Sequence, residues 1–399
     1  VESGFYKYPL NNDSHADFEE LDIELKVTGY VKNKNGSLRA KERLVLSKID
    51  YNQIVNETFE SSHVLGKCKK MLIIWYEYDS NKEAKDFLIT HYQLYDMEND
   101  LKVFNNDFEI IKNKVLDGKA HELSEGDTSY LGACTKARTS SDRTTQPFSD
   151  ILSKPRAYSL KNAYMTGILR EHINSKVITL NKYNTVEEYV KDKLRPYFGK
   201  TQVEILEKID GRKYSEKIPK NISKMISDEL IGKDTELPEK DEIFSKTSFI
   251  IKNLPIKENG KPIERMSFKT ISLSDFEEEW EDSFWKNYFE ETTLITICYQ
   301  AVNNSKNGFR VLKNVKKISF DEYDLDEFKK TYDQIKLAIE KEDINLLPTS
   351  ANGFKNQLLE IAPKGVKGDN AYENFFKNDK TKVSFMISKR LLIDKLSDE

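Results

Sequence analysis

The sequence predicts a protein of the α/β (α+β) class, built from two copies of one mixed sheet flanked by helices. The first observation is an internal repeat. Residues 26–44 and residues 252–266 each read as strand, Asn-Gly turn and strand, which is a hairpin pattern. The second is that an apolar segment typical of a buried strand follows each hairpin, at Met71–Tyr76 and Leu294–Tyr299. A duplicated sheet explains both.

Three further features recur in the same order. They are a polar block before each apolar segment (58–62 and 279–283), a strand that ends in lysine (130–136 and 358–364) and a closing helix (162–170 and 389–396). A generic alternation of strands and helices is the alternative explanation. The shared order of the features favours duplication.

The repeat divides the chain into two lobes with a different pattern between them. We expect a first lobe over residues 1–172, a helical linker segment over 173–240 and a second lobe over 241–399. Apolar residues at three- and four-residue spacing predict helices at 185–195 and 220–230. Residues 234–240 are polar and contain a proline, which indicates a connection into the second lobe.

The composition fits a soluble globular protein. Of the 399 residues, 33% are charged and 11% are aromatic, which excludes a disordered chain. The cysteines Cys68, Cys134 and Cys298 are far apart and form no CxxC pair, so we expect neither a disulfide framework nor a structural zinc site. With no signal peptide and no apolar run long enough to cross a bilayer, we expect a cytoplasmic protein.

The net charge of −4 argues mildly against a nucleic-acid partner, because non-specific DNA affinity comes from neutralising phosphates. The local charge differs from this average. Between Cys134 and Lys161 only two residues are acidic, whereas six are basic: Lys136, Arg138, Arg143, Lys154, Arg156 and Lys161. A solvated loop and a loop that follows DNA phosphates both explain this stretch.

Residues 21–28 alternate between apolar and polar side chains, which predicts a half-buried strand. Glu24 and Lys26 then project from one face, and Asp17 is far enough upstream to return beside them. Two carboxylates can hold a divalent cation, which polarises a scissile phosphate and lowers the pKa of a bound water. A neighbouring lysine can stabilise the charge of the transition state. As a bare pattern this set is weak, because charged edge strands are common.

The residues around this strand resemble the MutH-type endonucleases. Residues 17–28 resemble the active-site strand of that family, and residues 58–69 are similar to its next characteristic block. Residues 130–137 and 158–161 resemble its DNA-reading loop and the stretch that follows. The resemblance covers about residues 1–172. It implies a restriction-endonuclease-like fold, Mg²⁺ as the cofactor and double-stranded DNA as the substrate.

The resemblance assigns catalytic roles to individual residues. Asp17 and Glu24 match the metal-binding carboxylates, and Lys26 matches the catalytic lysine. Lys67 matches a second lysine near the scissile phosphate, although an exposed helix lysine is the alternative. Glu2 matches an upstream glutamate of the active site.

The resemblance also implies DNA contacts. Lys136 matches a lysine that reads a base edge in the major groove, and by proximity Arg138, Arg143 and Arg156 are expected to contact phosphates or bases. Ser159 stands where the mismatch-repair nickase of the family has a tyrosine associated with sensing adenine methylation. We therefore expect cleavage of GATC whether or not its adenine is methylated.

The second lobe is predicted to be inert. The repeat places Ile250 opposite Glu24 and Ile243 opposite Asp17, and isoleucine cannot bind a cation. Lys364 is retained opposite Lys136. We therefore expect a lobe that binds DNA without cutting it.

The two-lobed length resembles the type II restriction branch of the family, which cuts GATC. In that branch too, the second lobe resembles the first without its active site. A nicking repair endonuclease and a non-catalytic DNA-bridging protein are the alternatives. A restriction role implies a host DNA methyltransferase as functional partner, and one active site per chain suggests that two chains assemble on a palindromic site.

Overall fold

The computed structural model describes residues 4–6, 16–32, 36–137, 139, 141–174, 183–214, 217–232, 247–354, 356–364, 370–377 and 383–397. These residues divide into two compact units. Unit 1 contains the described residues up to Thr185 together with residues 247–248, and unit 2 contains the remainder. No described helix is long and apolar enough to span a membrane.

Unit 1 contains all of the described residues of the predicted first lobe, 1–172. Its strands are β1 Glu24–Lys32, β2 Leu38–Ala40, β3 Leu44–Lys48, β4 Lys70–Glu77, β5 Leu88–Asp96, β6 Leu131–Thr135, β7 Thr144–Gln146, β8 Ser149–Ser153 and β9 Arg156–Leu160. Its α-helices are α1 Tyr51–Ile54, α2 His63–Cys68, α3 Leu101–Leu116 and α4 Asn162–Asn174.

The main sheet of unit 1 is mixed, as predicted. Its strand order is β2-β1-β4-β5, with β1 parallel to β4 and the other neighbours antiparallel. A second sheet is antiparallel and has the strand order β3-β9-β6, and β7 pairs with β8 in a separate two-stranded sheet. One face of the main sheet and the apolar side of α3, with Phe104 and Phe108, belong to the core of unit 1.

A buried carboxylate fixes the start of β6. Asp107 on α3 is fully buried and accepts the backbone N–H groups of Ser129, Tyr130 and Leu131 at 2.8, 2.6 and 2.9 Å. Burial raises the pKa of this carboxyl group above its usual value. The three donors satisfy the acceptor oxygens, so that the buried polar group anchors the strand that leads to Lys136.

Unit 2 begins with helices and then repeats the order of unit 1. Its helices are α5 Val186–Leu194, α6 Gln202–Asp210, α7 Ile222–Leu230, α8 Phe284–Glu291, α9 Glu322–Glu340, α10 Ala371–Phe376 and α11 Lys389–Ser397. Its strands are β10 Phe249–Ile256, β11 Met266–Thr270, β12 Thr293–Gln300, β13 Val311–Ile318, β14 Leu359–Pro363 and β15 Val383–Ile387.

The two units share their strand pairing. In unit 2, β10 is parallel to β12, as β1 is to β4, and β11-β15-β14 corresponds to β3-β9-β6. The pairing of β4 with β5 shifts between Trp75 and Tyr76, and the pairing of β12 with β13 shifts between the equivalent Cys298 and Tyr299. The β3–β9 and β11–β15 pairings also carry shifts at matching places. The units are therefore copies of one fold.

The segment predicted to be a separate helical linker belongs to unit 2 over its described residues 186–232. Helix α5 packs on β12 and β13, because the sheet face that it covers is apolar. Helices α5 and α7 agree with the prediction, whereas α6 was not predicted. The whole of the proposed connection at 234–240, and the Asn35 of the first predicted turn, lie outside the described residues.

Candidate active site

A tight loop brings Asp17 beside the start of β1. Phe18 pairs with Ile23 through backbone hydrogen bonds of 2.9 and 3.3 Å, and Asp22 turns the chain with a φ of 53°. Aspartate is one of the few residues that tolerates this left-handed conformation. Residues 17 and 24 therefore lie next to each other: the Asp17 N–H donates to Glu24 Oε2 at 3.3 Å, and the Leu25 N–H donates to Asp17 Oδ2 at 3.0 Å.

This loop corrects the predicted extent of the strand. The alternation of residues 21–28 predicted a half-buried strand, but β1 begins at Glu24 and Leu21 is 65% exposed. The alternation of apolar and polar residues continues through the turn at Asp22, so the pattern alone does not show where the strand begins. The expectation that Glu24 and Lys26 share one face is confirmed, because Lys26 Nζ donates to Glu24 Oε1 at 2.7 Å.

Glu24 is the centre of a small charge cluster. Its residue is only 2% exposed, and its Oε1 lies 2.7 Å from Lys26 Nζ and 3.6 Å from Lys67 Nζ. Both ammonium groups compensate the cost of burying the carboxylate. The cluster leaves Lys26 and Lys67 about one-sixth exposed, so both can still reach an anionic group at the surface.

The position of Lys67 argues against a fully exposed helix lysine, and its role near the scissile phosphate stays a prediction. It lies in α2, whose N-terminus is capped by Ser62, a buried serine that accepts the Leu65 N–H at 3.3 Å. The short helix ends beside β4, and Lys67 points to Glu24 instead of lying fully exposed on the surface. The neighbouring Cys68 is buried in the same region, which raises the pKa of its thiol to about 12. Cys68, Cys134 and Cys298 are buried free thiols.

The donor set fits a hard divalent cation in part. Asp17 and Glu24 supply adjacent carboxylates, and Mg²⁺ often binds proteins through one or two carboxylates while keeping several waters. Within the described stretches of the chain, no group of three or more acidic, histidine or cysteine side chains is placed to hold a metal. Glu2, the predicted third carboxylate, lies outside the described residues.

The predicted DNA contacts separate into two groups. Lys136, directly after β6, and Arg143, before β7, are exposed, as a DNA contact requires. Arg156 is only 3% exposed, and its guanidinium donates to the backbone carbonyls of Ala133 at 2.6 Å and of Leu123. Arg156 therefore holds the interior of unit 1 together, and its prediction as a DNA contact is wrong. Arg138 lies outside the described residues.

The expectation that Ser159 lies beside DNA is also wrong, whereas cleavage of GATC with methylated adenine stays a prediction. Ser159 is fully buried in β9, and its hydroxyl donates to Glu125 Oε1 at 3.3 Å. The adjacent Tyr158 points into the core, where its ring stacks on Phe108. Neither side chain is available to a base in the major groove.

Sequence reasoning missed the ion pair behind Ser159. Glu125 is fully buried, and its Oε1 lies 2.6 Å from Arg43 Nη1. Gly132 leaves the necessary space, because a Cβ there would lie 3.3 Å from the Glu125 carboxylate. In unit 2 the equivalent arginine, Arg265, pairs with Glu360, which occupies the position of Gly132. The sequence offered one indication of this ion pair, because the second copy has a glutamate, Glu360, at the position of Gly132.

Among its described residues, unit 2 has no equivalent of the charge cluster around Glu24. Ile250 pairs with Leu294 in the register in which Glu24 pairs with Met71, so the predicted equivalence holds. Counted from the capping serines Ser62 and Ser283, Tyr288 is the counterpart of Lys67, and both Ile250 and Tyr288 pack against the core of unit 2. The retained Lys252 donates to the carbonyl of Ser267. Ile243 lies outside the described residues.

The exposed Lys364 follows β14 as Lys136 follows β6, and its ammonium group donates to the carbonyl of Phe268 at 2.8 Å. The lysine predicted from the repeat is therefore present at the same point of the second copy.

A carboxylate pair and two lysines at the start of a central strand, in a mixed sheet flanked by helices, are the features of an endonuclease that hydrolyses DNA. Comparisons with known proteins agree. The family model described as DNA mismatch repair enzyme MutH matches residues 6–113, which include β1, α2 and β4. The type II restriction enzyme Sau3AI of Staphylococcus aureus is 34% identical over 336 residues, which are 79% of this chain and 68% of that protein. The chain belongs to this family of MutH-like type II restriction endonucleases.

Proposed function

We propose that this endonuclease uses Mg²⁺ to cut both strands of DNA at GATC, and that unit 2 binds DNA without cutting it. The observation that carries the catalytic part is the contact of Glu24 with Asp17, Lys26 and Lys67 in unit 1. The choice of GATC rests on the resemblance of the sequence to the two-lobed restriction branch.

In the proposed active site, Asp17 and Glu24 hold the cation, with Glu2 as a further candidate ligand. Bound there, Mg²⁺ supplies Lewis-acid chemistry to the scissile phosphate. Lys26 donates hydrogen bonds that orient the attacking water or stabilise the charge that develops on the phosphate oxygens. Lys67 adds a second positive charge on the same side of Glu24. Hydrolysis then forms one bond from water to phosphorus and breaks one bond from phosphorus to a sugar oxygen.

Lys136, Arg138 and Arg143 are the proposed DNA contacts of unit 1, and Lys364 is that of unit 2. A lysine suits recognition of a guanine edge in the major groove. We also propose that two chains assemble on one palindromic site, because each chain has one active site for two strands. A host methyltransferase would protect the cell's own sites.

Digestion of a supercoiled GATC plasmid tests the catalytic proposal. Wild-type protein with Mg²⁺ should give discrete linear fragments, whereas Glu24→Gln and Lys26→Ala should leave the plasmid intact but still bind it. Glu98→Gln and Lys48→Ala make the same chemical changes at exposed positions of unit 1 and should cut normally. Near-normal cutting by Glu24→Gln, or robust cutting in EDTA, would contradict the proposal.

The same digest separates the alternatives. Nicked circles without linear product would favour the repair-type nickase, and binding without any cleavage would favour a DNA-bridging protein. End mapping of the fragments tests GATC directly.

The role of unit 2 is tested in the intact chain with substrates that carry one or two sites. Two linked binding units raise the effective concentration of the second site, so the two-site substrate should be bound more tightly or cut faster. Lys364→Ala should reduce this advantage, whereas Lys377→Ala, at another exposed lysine of unit 2, should not. An equal rate on both substrates would make unit 2 a structural appendage.

A further inference from the structure

A β-hairpin with an apolar tip follows Lys136 in unit 1. Strands β7 and β8 form the hairpin, and Pro147 and Phe148 make its two-residue turn. Phe148 is 69% exposed, and Ile151 and Leu152 of β8 are 56% and 51% exposed. The hairpin therefore presents aromatic and aliphatic side chains at the surface of unit 1.

The turn of this hairpin is strained at its second residue. The ring of Pro147 fixes its φ at about −65°, and Phe148 follows with a φ of 66°. A proline followed by a residue of positive φ is the arrangement of a type II turn, which prefers glycine or asparagine at the second place. A bulky residue there strains the backbone. Because Phe148 is exposed, packing of its ring in the core does not offset this strain.

Buried contacts hold the hairpin in one conformation. Gln146 is buried, and its side-chain carbonyl accepts the Ala120 N–H at 2.7 Å while its amide donates to the Ile151 carbonyl at 2.6 Å. Gly118 lies against the turn, because a Cβ there would come within 2.6 Å of the Phe148 carbonyl oxygen. The phenyl ring is therefore presented on a rigid support.

The base of the hairpin is tied to the proposed DNA contacts. The Lys136 N–H donates to the carbonyl of Pro155, just beyond β8, at 2.8 Å, and Arg143 directly precedes β7. The chain from Arg143 to Phe148 spans at most about 17 Å. A duplex rises about 3.4 Å per base pair, so a tip that reaches the duplex does so within about five base pairs of Arg143.

The equivalent connection of unit 2 uses its aromatic residues differently. The connection from β14 to β15 corresponds to the one from β6 to β9, and among its described residues it contains helix α10. Ala371 and Phe375 of this helix are 4% and 0% exposed and belong to the core of unit 2. Phe375 therefore stabilises its unit, whereas Phe148 stays at the surface of the unit that carries the charge cluster.

We propose that Phe148 is a wedge that inserts between two adjacent base pairs of the bound duplex, opens that step and bends the DNA. Proteins that kink DNA insert phenylalanine, leucine, isoleucine, methionine or proline side chains in this way, and the exposed side chains of the hairpin are of these types. The phenyl ring replaces part of the base stacking that it breaks. The inference rests on the proposed contact of Lys136 and Arg143 with DNA.

The surroundings of the tip favour double-stranded DNA as its occupant. Lys136 and Arg143 are exposed at the base of the hairpin, where cations neutralise phosphates beside an opened step. A docking site for another protein would need neither these cations nor a side chain held on a strained turn.

A duplex that carries 2-aminopurine in place of single adenines reports the opened step, because this base fluoresces more strongly when its neighbours unstack. It is placed in turn within about five base pairs of the mapped cut site. All proteins in this assay carry Glu24→Gln, so that the duplex stays intact. The test variants are Phe148→Ala, Phe148→Gly and Phe148→Trp. Tyr92→Ala is the matched control, because Tyr92 is 73% exposed on β5 of the same unit.

We expect the fluorescence to rise at one position with Phe148 present, with Phe148→Trp and with Tyr92→Ala, and to stay flat with Phe148→Ala and Phe148→Gly. With Glu24 intact, the last two variants should cut DNA at least tenfold more slowly. The salt dependence of their DNA binding should be unchanged, because the phosphate contacts remain. Phe148→Gly should keep or raise the Tm, since glycine adopts a φ of 66° without strain.

Two results would overturn the wedge while leaving the loop on the DNA. One is that Phe148→Ala gives the fluorescence and the cutting rate of the wild type, although Lys136→Ala lowers the salt dependence of binding. The other is a clear fall in Tm with Phe148→Gly, which would make Phe148 a structural residue.

Two further results separate other failures. If Lys136→Ala and Arg143→Ala both bind DNA as the wild type does, the proposed contact of the loop fails, and the wedge fails with it. If the chain forms a dimer without DNA in sedimentation and Phe148→Ala dissociates it, the tip is a contact between chains and the wedge is wrong.

Discussion

Replacing Ser159 with tyrosine tests whether this position faces DNA or the interior. In the structure Ser159 is fully buried, and its hydroxyl contacts Glu125. Gly132 of β6 pairs with Ser159, and a Cβ added at Gly132 would lie only 2.9 Å from the Ser159 Oγ. A phenol ring at position 159 therefore has no space and must displace Glu125 or the neighbouring strand.

The size of the effect follows from two contributions. Overpacking of a filled interior costs about 1–3 kcal/mol. Displacing Glu125 from Arg43 breaks a buried pair, which costs about 3–5 kcal/mol when one partner stays buried. Because the Arg43 side chain is 17% exposed, we take the lower end of the second contribution, about 3 kcal/mol, and expect a total of about 4–6 kcal/mol. At about 2–4 °C per kcal/mol, the Tm of unit 1 should fall by about 8–24 °C.

Thermal unfolding and plasmid digestion together check this prediction. Ser159→Ala is the control and should lose less than about 1 kcal/mol, because it removes only one long hydrogen bond. Cleavage by the residual folded Ser159→Tyr protein should fall equally on adenine-methylated and unmethylated plasmid. An unchanged Tm combined with selective loss of cutting on methylated DNA would refute the interior position of Ser159.

Three further predictions concern other buried or exposed groups. Asp107→Asn should lower the free energy of unfolding by about 2–4 kcal/mol in denaturant titrations, because one amide oxygen cannot accept three buried N–H groups; a change under about 0.5 kcal/mol would contradict the anchoring role. Arg156→Ala should destabilise unit 1 by a similar amount through two unpaired carbonyls, whereas Arg143→Ala should leave Tm unchanged and lower the salt dependence of DNA binding by about one unit. At pH 8 a thiol with a pKa of about 12, such as Cys68, is thiolate in only about one molecule in 10⁴. An aromatic disulfide reagent should therefore report no reactive thiol until the chain unfolds. Fast labelling of the native protein would contradict the burial.

The contact between Glu24 and Lys26 in the candidate active site could be predicted because it depends on local spacing. Two residues separated by one position share a strand face, and this rule alone placed Lys26 beside Glu24. The same rule failed three residues earlier, at Leu21, because Asp22 adopts a left-handed turn and the alternation carries no information about backbone direction. The return of Asp17 needed only a short loop, which the seven-residue gap allowed.

The contacts that could not be predicted depend on depth and on long-range pairing. Arg156 was assigned to DNA by its proximity to the basic loop, and the sequence does not tell whether an arginine faces phosphates or backbone carbonyls. The burial of Ser159 follows from Glu125, which lies far away in sequence and belongs to no motif. The placement of α5 on unit 2 could not be predicted without knowing that the sheet of β12 and β13 is apolar on both of its faces.

The matching irregularities in the two units have a consequence for how the copies diverged. A bulge inserts one unpaired residue, and everything beyond it changes sides relative to an unbulged ladder. Since the shifts occur at equivalent places in both copies, every later substitution took place in a fixed frame of inward and outward positions. The difference between Glu24 and Ile250 lies within that shared frame. Along these matched strands unit 2 therefore differs from unit 1 by its side chains and not by its pairing register, so a single substitution could place a carboxylate in unit 2 at the position that Glu24 holds in unit 1.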